Sequence, residues 1–115
     1  MNIMDDMVAE IAELKEVDSV CVADHTGAYI TGVNQDTPEE FAAILTFIGQ
    51  AGQHIGESLG LEDMVSCTIN SRKLDMVICS ANDHLIGTQL TDKAVPTQAE
   101  TRVSAIVSEF LLDEN

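Results

Sequence analysis

The sequence is short of positive charge. Five lysines and arginines stand against twenty aspartates and glutamates, a formal net charge of −15. Nucleic acid and anionic membrane both require clustered Lys and Arg, so neither is an expected partner. The acidic surplus suits solubility, including in a saline cytoplasm, or a partner with a basic surface. Cysteine is scarce as well: Cys21, Cys67 and Cys79 lie far apart, each within an apolar run. An odd, scattered set does not make a disulfide framework and suits free buried thiols in a reducing compartment. No stretch approaches the ~18 consecutive apolar residues of a membrane span. No N-terminal segment joins a basic region to an apolar one. The expected location is the cytoplasm.

Catalytic signatures are missing too. There is no GxxxxGK followed by Ser or Thr, so no loop cradles a phosphate. His25, His54 and His84 lack metal spacing, and CxxC and HExxH do not occur, so neither metal nor cofactor is expected. Asp24, in the turn Asp24-His25-Thr26-Gly27, is expected to bond local backbone amides rather than move protons. Asp83 and His84 are neighbours, and neighbouring strand residues point to opposite faces, which argues against an acid–base pair. Arg72 and Arg102 are the two guanidinium groups. Arg72, in a hairpin turn, is free to serve as an arginine finger, although a solvated turn residue is the stronger reading. The chain is expected not to be an enzyme.

What is present is a regular alternation of elements. Ile3, Met7, Ile11 and Leu14 mark an N-terminal helix, with Asp5 and Asp6 in its first turn and Lys15 at its far end. Residues 17–23 and 28–32 read as a hairpin around the Asp24–Gly27 turn. Thr37-Pro38-Glu39-Glu40 opens a second helix, with Thr37 as N-cap and a glutamate closing a capping box. That helix runs to Leu59 and stops at Gly60. Strands follow at 64–70, 74–80 and 84–90, joined tightly at 71–73 and 81–83. Thr97 and Glu100 read as a second capping box before a terminal helix striped by Val103, Ile106, Val107, Phe110 and Leu111. Without repeats, linker or low-complexity sequence, residues 1–115 are expected to form one domain. The fold class is α/β (α+β): a three-layer sandwich with a five-stranded antiparallel sheet, order α-β-β-α-β-β-β-α. Residues 20–23 and 76–80 are apolar on both faces of their strands, so helices must cover both sides of the sheet.

The second helix carries more apolar surface than one core needs. Phe41, Leu45, Ile48, Gly52, Ile55 and Leu59 form the stripe expected to bury on the sheet. Ala43, Ile44, Phe47, Ala51 and His54 form an adjoining stripe, and Thr46, Gln50, Gln53 and Glu57 supply the polar face. The apolar-and-small arc spans roughly 240°, against the ~100° that covers a single core. Gly49, Gly52 and Gly56 each cost about 1 kcal/mol relative to Ala inside a helix, and close backbone approach is a reason to tolerate them. The surplus points to a second copy of the helix packed across a two-fold axis. Val65, Cys67 and Ile69 lie on one side of a strand with no charge and no proline; at a sheet edge it would lack the usual defences against pairing. The expected homodimer interface is therefore Ala43, Ile44, Phe47, Ala51, His54, Val65, Cys67 and Ile69.

The element order, the hairpin VDSVCVADHTGAYITG, the small-residue-rich second helix ending in Leu59-Gly60 and the strand HLIGTQL together resemble the Roadblock/dynein light-chain family. They are similar above all to its short prokaryotic members of the MglB type. The resemblance covers the chain from about Ile3 to Phe110. It implies a homodimer built through the second helix and third strand. It also implies a non-catalytic regulator or scaffold that binds a Ras-like small GTPase and modulates its nucleotide cycle or location. On this chain the platform for that partner would be Thr46, Gln50, Gln53 and Glu57, with Phe47 and His54 shared with the dimer. Two other roles remain open: an adaptor light chain of a larger motor or membrane-associated assembly, and a small-molecule sensor domain.

Overall fold

The computed structural model describes residues 2–61 and 65–111. Its elements are α1 (Ile3–Ala12), β1 (Val17–Asp24), β2 (Tyr29–Val33), α2 (Pro38–Ser58), β3 (Ser66–Ile69), β4 (Met76–Ala81), β5 (His84–Leu90) and α3 (Pro96–Leu111). The order is the expected one. The five strands form one antiparallel sheet arranged β2-β1-β5-β4-β3. The stretch expected as a strand over 64–70 begins on Met64, outside the described residues.

Strand alternation sorts side chains to the two faces. Val20 and Val22 of β1, Val77 and Cys79 of β4, and Ile86 and Leu90 of β5 pack with Met7, Val8 and Ile11 of α1 and Val103 and Val107 of α3. Cys21, Ala23, Ile78 and Leu85 face the other way, against Ala42 and Leu45 of α2. Both faces are covered, as the two-sided apolar strands require.

Helix ends follow local chemistry, with corrections. The Asn2 side chain accepts from the Met4 amide at 2.8 Å and caps α1. That helix ends at Ala12, so Lys15 lies beyond it and offers no charge to its last turn. Thr37 occupies the N-cap of α2, but its side chain makes no capping bond; proline at the helix start, with φ already helical, does the work. At the other end Gly60 sits at φ +75°, its N–H bonds Glu57 O at 3.2 Å, and Leu61 N–H reaches Gly56 O at 2.8 Å. This pair of bonds is a Schellman motif, which needs a residue free to turn left-handed. α3 begins one residue before the expected cap, at Pro96, so Thr97 lies inside it. Glu100 does not close a box: its Oε2 accepts from Ser66 Oγ at 2.9 Å and Ser104 Oγ at 2.8 Å, tying β3 to α3.

Two turns set the upper rim of the sheet. Asp24 Oδ1 accepts from Thr26 N (2.9 Å), Thr26 Oγ1 (2.6 Å) and Ala28 N (3.0 Å), the local role expected for it. The Thr26 hydroxyl and these amides hold the Asp24 carboxyl below its ordinary value. Between β4 and β5 the connection is two residues, Asn82 and Asp83, both at positive φ, a type I′ turn. Ala81 belongs to β4. The β3–β4 connection is longer than the three residues expected, since Ile69 pairs with Met76, and Ser71 Oγ and the Asp75 carboxylate hold it through backbone amides.

Candidate interaction surface

α2 leaves the strand at one edge of the sheet, β2, and delivers the chain to the other edge, β3. Its 21 residues make a rod of ~31 Å at ~1.5 Å per residue. Leu45 over Gly87 and Gly49 over Leu85 set the helix along β5, whose seven residues span only ~24 Å at ~3.4 Å each. The helix outreaches its bed.

Its seat is fixed at β5. A Cβ on Gly49 would lie 2.6 Å from Leu85 Cδ1, and a Cβ on Gly87 would lie 2.8 Å from Leu45 Cδ1. Each leucine thus fills the space above the opposing glycine. Thr46 also belongs to this contact: it is buried, and its hydroxyl donates to Asp24 O at 3.2 Å. Thr46 is therefore removed from the polar platform expected of it, because the helix rotates that edge of the polar face onto the Asp24 turn.

Beyond this seat Gly56 is still buried, but the large apolar side chains are not. The stripe expected to bury on the sheet does so only in part: Phe41, Ile48 and Gly52 are half-buried and Leu45 is buried, but Ile55 and Leu59 are exposed. The adjoining stripe of Ala43, Ile44, Phe47, Ala51 and His54 is exposed throughout, with Phe47 72% accessible. Gln50 and Glu57 are exposed beside it, and Gln53 is half-buried.

The two sheet edges differ. β2 carries a bulge where its pairing with β1 shifts between Val22 and Ala23, and Thr31 Oγ1 donates to Asp5 of α1 at 2.6 Å. Bulges and side groups laid against a strand both obstruct addition of another strand. β3 pairs with β4 in unbroken register from Ser66 to Ile69 and contains no charge or proline. It is an edge strand, the position in which a strand without charge or proline is open to pairing with another chain. Cys67 and Ile69 are half-buried toward α2, and Val65, just before the strand, is exposed.

Chemistry elsewhere is muted. Burial pushes the Cys21 thiol up to about 11 and raises Cys79 as well, so both are poor nucleophiles. Arg102 is held by Glu16 at 2.5 Å, while Arg72 stands exposed in its turn. Among the described residues no group of three or more His, Cys, Asp or Glu is placed to hold a metal ion. Nor is any described helix long and apolar enough to cross a membrane. A cleft of about 420 Å³ at the start of α2 has Phe41 and Ile44 on one side but is otherwise polar, with Asp18, Asp36 and Glu40, unlike the mainly apolar pocket a small-molecule sensor would use. Asp83 and His84 require a correction: Asp83 is a turn residue, not a strand residue, and both line one cleft of about 180 Å³.

Comparison with solved structures identifies the architecture. A Roadblock/LC7 domain from Streptomyces avermitilis superposes with a TM-score of 0.80 at 12% identity, over 91% of this chain and 92% of that one. MglB of Myxococcus xanthus also gives 0.80, at 9% identity, over 93% and 86%. The chain has the Roadblock/LC7 fold. The same Roadblock/LC7 layering extends to LokiProfilin2 in its complex with rabbit actin, at a TM-score of 0.69 and 10% identity, over 99% of each chain. No protein-family model matches the sequence, and no curated protein matches it significantly. At such identities the likeness is one of Roadblock/LC7 fold alone, and function has to be argued from surfaces.

Proposed function

We propose that this chain is a non-catalytic homodimeric regulator or scaffold that binds a Ras-like small GTPase and modulates its nucleotide cycle or location. The observation that carries the reading is the uncovered face of α2, continuous through Ile44, Phe47, Ala51 and His54 and neighbouring an unobstructed β3 edge. A two-fold axis beside that edge would bring two α2 helices together and extend the sheet from one β3 to the other, satisfying both faults at once. Ile55 and Leu59, bare on a single chain, would then cover the partner's sheet. Gln50, Gln53 and Glu57 would remain on the outer side of the helix pair as a polar platform. The likeness in fold to MglB of Myxococcus xanthus supports a GTPase as the occupant, and the −15 charge favours a basic docking face.

Sedimentation velocity at micromolar concentration tests the dimer, and a species of one chain's mass would end the reading. Immobilised chain is then offered a purified Ras-like GTPase loaded with GDP or a non-hydrolysable GTP analogue. Retention in one nucleotide state is the expected result. Retention of large assemblies regardless of nucleotide would move the chain to the adaptor class.

A further inference from the structure

The cleft of about 180 Å³ that brings Asp83 and His84 together opens at the upper rim of the sheet, beside the face of α2. His25 comes from the β1–β2 turn, Ser80 from β4, Asp83 from the β4–β5 turn, His84 from the start of β5 and Gln50 from α2. Its floor is Leu85, packed tightly over Gly49, which gives the cleft an apolar base.

The polar walls are biased toward acceptors. His84 Nδ1 lies 2.8 Å from Asn82 O, so the neutral ring that satisfies this carbonyl carries its proton on Nδ1 and keeps Nε2 as an acceptor. Asp83 adds a carboxylate, and Gln50 an amide oxygen free to orient. An anionic guest would meet Asp83 and the field of fifteen excess negative charges. A lysine ammonium would satisfy one wall at a time. A guanidinium presents five N–H groups in a planar fork and can address acceptors on separate elements. Its stem would lie on the apolar floor.

The geometry points to this cleft as a socket for an arginine side chain presented by the docked protein partner. The assignment deepens the docking reading above, yet its test uses the chain alone, so the two stand or fall separately. The probe is acetyl-Gly-Arg-Gly amide, titrated into isotopically labelled protein and followed by amide chemical shifts. Saturable movement of the Gln50, Ser80, Asp83 and His84 signals is expected, with weaker binding of the Lys peptide and none of the neutral citrulline peptide. Asp83→Asn should weaken the arginine peptide about tenfold. Asn is at ease in the left-handed conformation that residue 83 adopts at φ +64°, so the turn survives the change. Gln50→Lys, on the exposed flank of α2, should also abolish binding by placing a fixed cation at the mouth. Shifts that spread over the acidic surface, titrate in Asp83→Asn with the parent affinity, or occur equally with citrulline would overturn the assignment. Sedimentation of Asp83→Asn should match the parent protein, since Asp83 lies off the Phe47 stripe.

Discussion

The two faces of the sheet are covered by unequal means. On one, α1 and α3 lie side by side and seal Met7, Ile11, Val20, Val77, Ile86 and Val103 completely. On the other, a single longer helix is pinned at Leu45 and Gly49 and then runs off, leaving Phe47 and Leu59 with 72% and 69% of their surface in water. Two short amphipathic helices finish a core; one long helix with two apolar stripes leaves a core unfinished. Burial on the first face stabilises the chain itself, whereas exposure on the second becomes useful only when something else arrives.

Breaking this contrast takes substitutions on both sides. The largest effect is expected on the sealed face, where Ile11→Ala should cost about 2–5 kcal/mol in denaturant unfolding. Gly87→Ala should follow at about 1–3 kcal/mol, because the new methyl collides with buried Leu45. Phe47→Asp should change the stability of the dissociated chain by less than about 0.5 kcal/mol, yet halve the sedimenting mass. If Phe47→Asp instead unfolds the chain, the bare stripe is part of the monomer's core and the contrast disappears.

Thiol labelling sharpens the same contrast at the strand level. Cys67, half-buried on β3, should react well before Cys21 and Cys79, which require unfolding. Its rate should fall as protein concentration rises, as the edge becomes paired. The smallest expected effect is at Asp24. Its carboxyl is held below the ordinary 3.8 by the Thr26 hydroxyl and the Ala28 and Thr26 amides. The contribution is therefore complete above about that value and is lost as pH falls through the lower folded one. Asp24→Asn should lower stability slightly at neutral pH, change it least in acid where the native carboxyl is already protonated, and so flatten the acid limb, as melting curves at several pH values would reveal.

Periodicity made most of the architecture legible. Strands apolar on both faces demanded helices on both sides, and the left-handed Gly60 ended α2 where expected. The third strand was legible as charge-free and proline-free, but its place at the sheet edge follows from the pairing order, which residue pattern alone does not supply. Thr37 stands at the N-cap as expected, but neither expected capping box forms: proline at the helix start replaces a side-chain cap, a competition that residue spacing does not resolve. Thr46 was misplaced because a helical wheel has no knowledge of the turn it meets, and a carbonyl from Asp24 drew its hydroxyl inward. The overhang of Ile55 and Leu59 was hidden for a similar reason, since a wheel records angle but not how far the sheet extends. The cleft at Asp83 and His84 escaped notice because a two-residue turn puts neighbours on one side, where a strand would separate them.

The leucine-over-glycine pairs on α2 and β5 fix the rotational phase of the long helix. One residue inserted between Gly49 and Leu59 would swing everything beyond it by ~100° and advance it by ~1.5 Å. The bare stripe would then break into two unrelated patches, although the seat and the sheet beneath stayed intact. Length changes in this protein should consequently be tolerated in the 70–75 connection and forbidden along the second half of α2, even though its large apolar side chains meet little of their own chain.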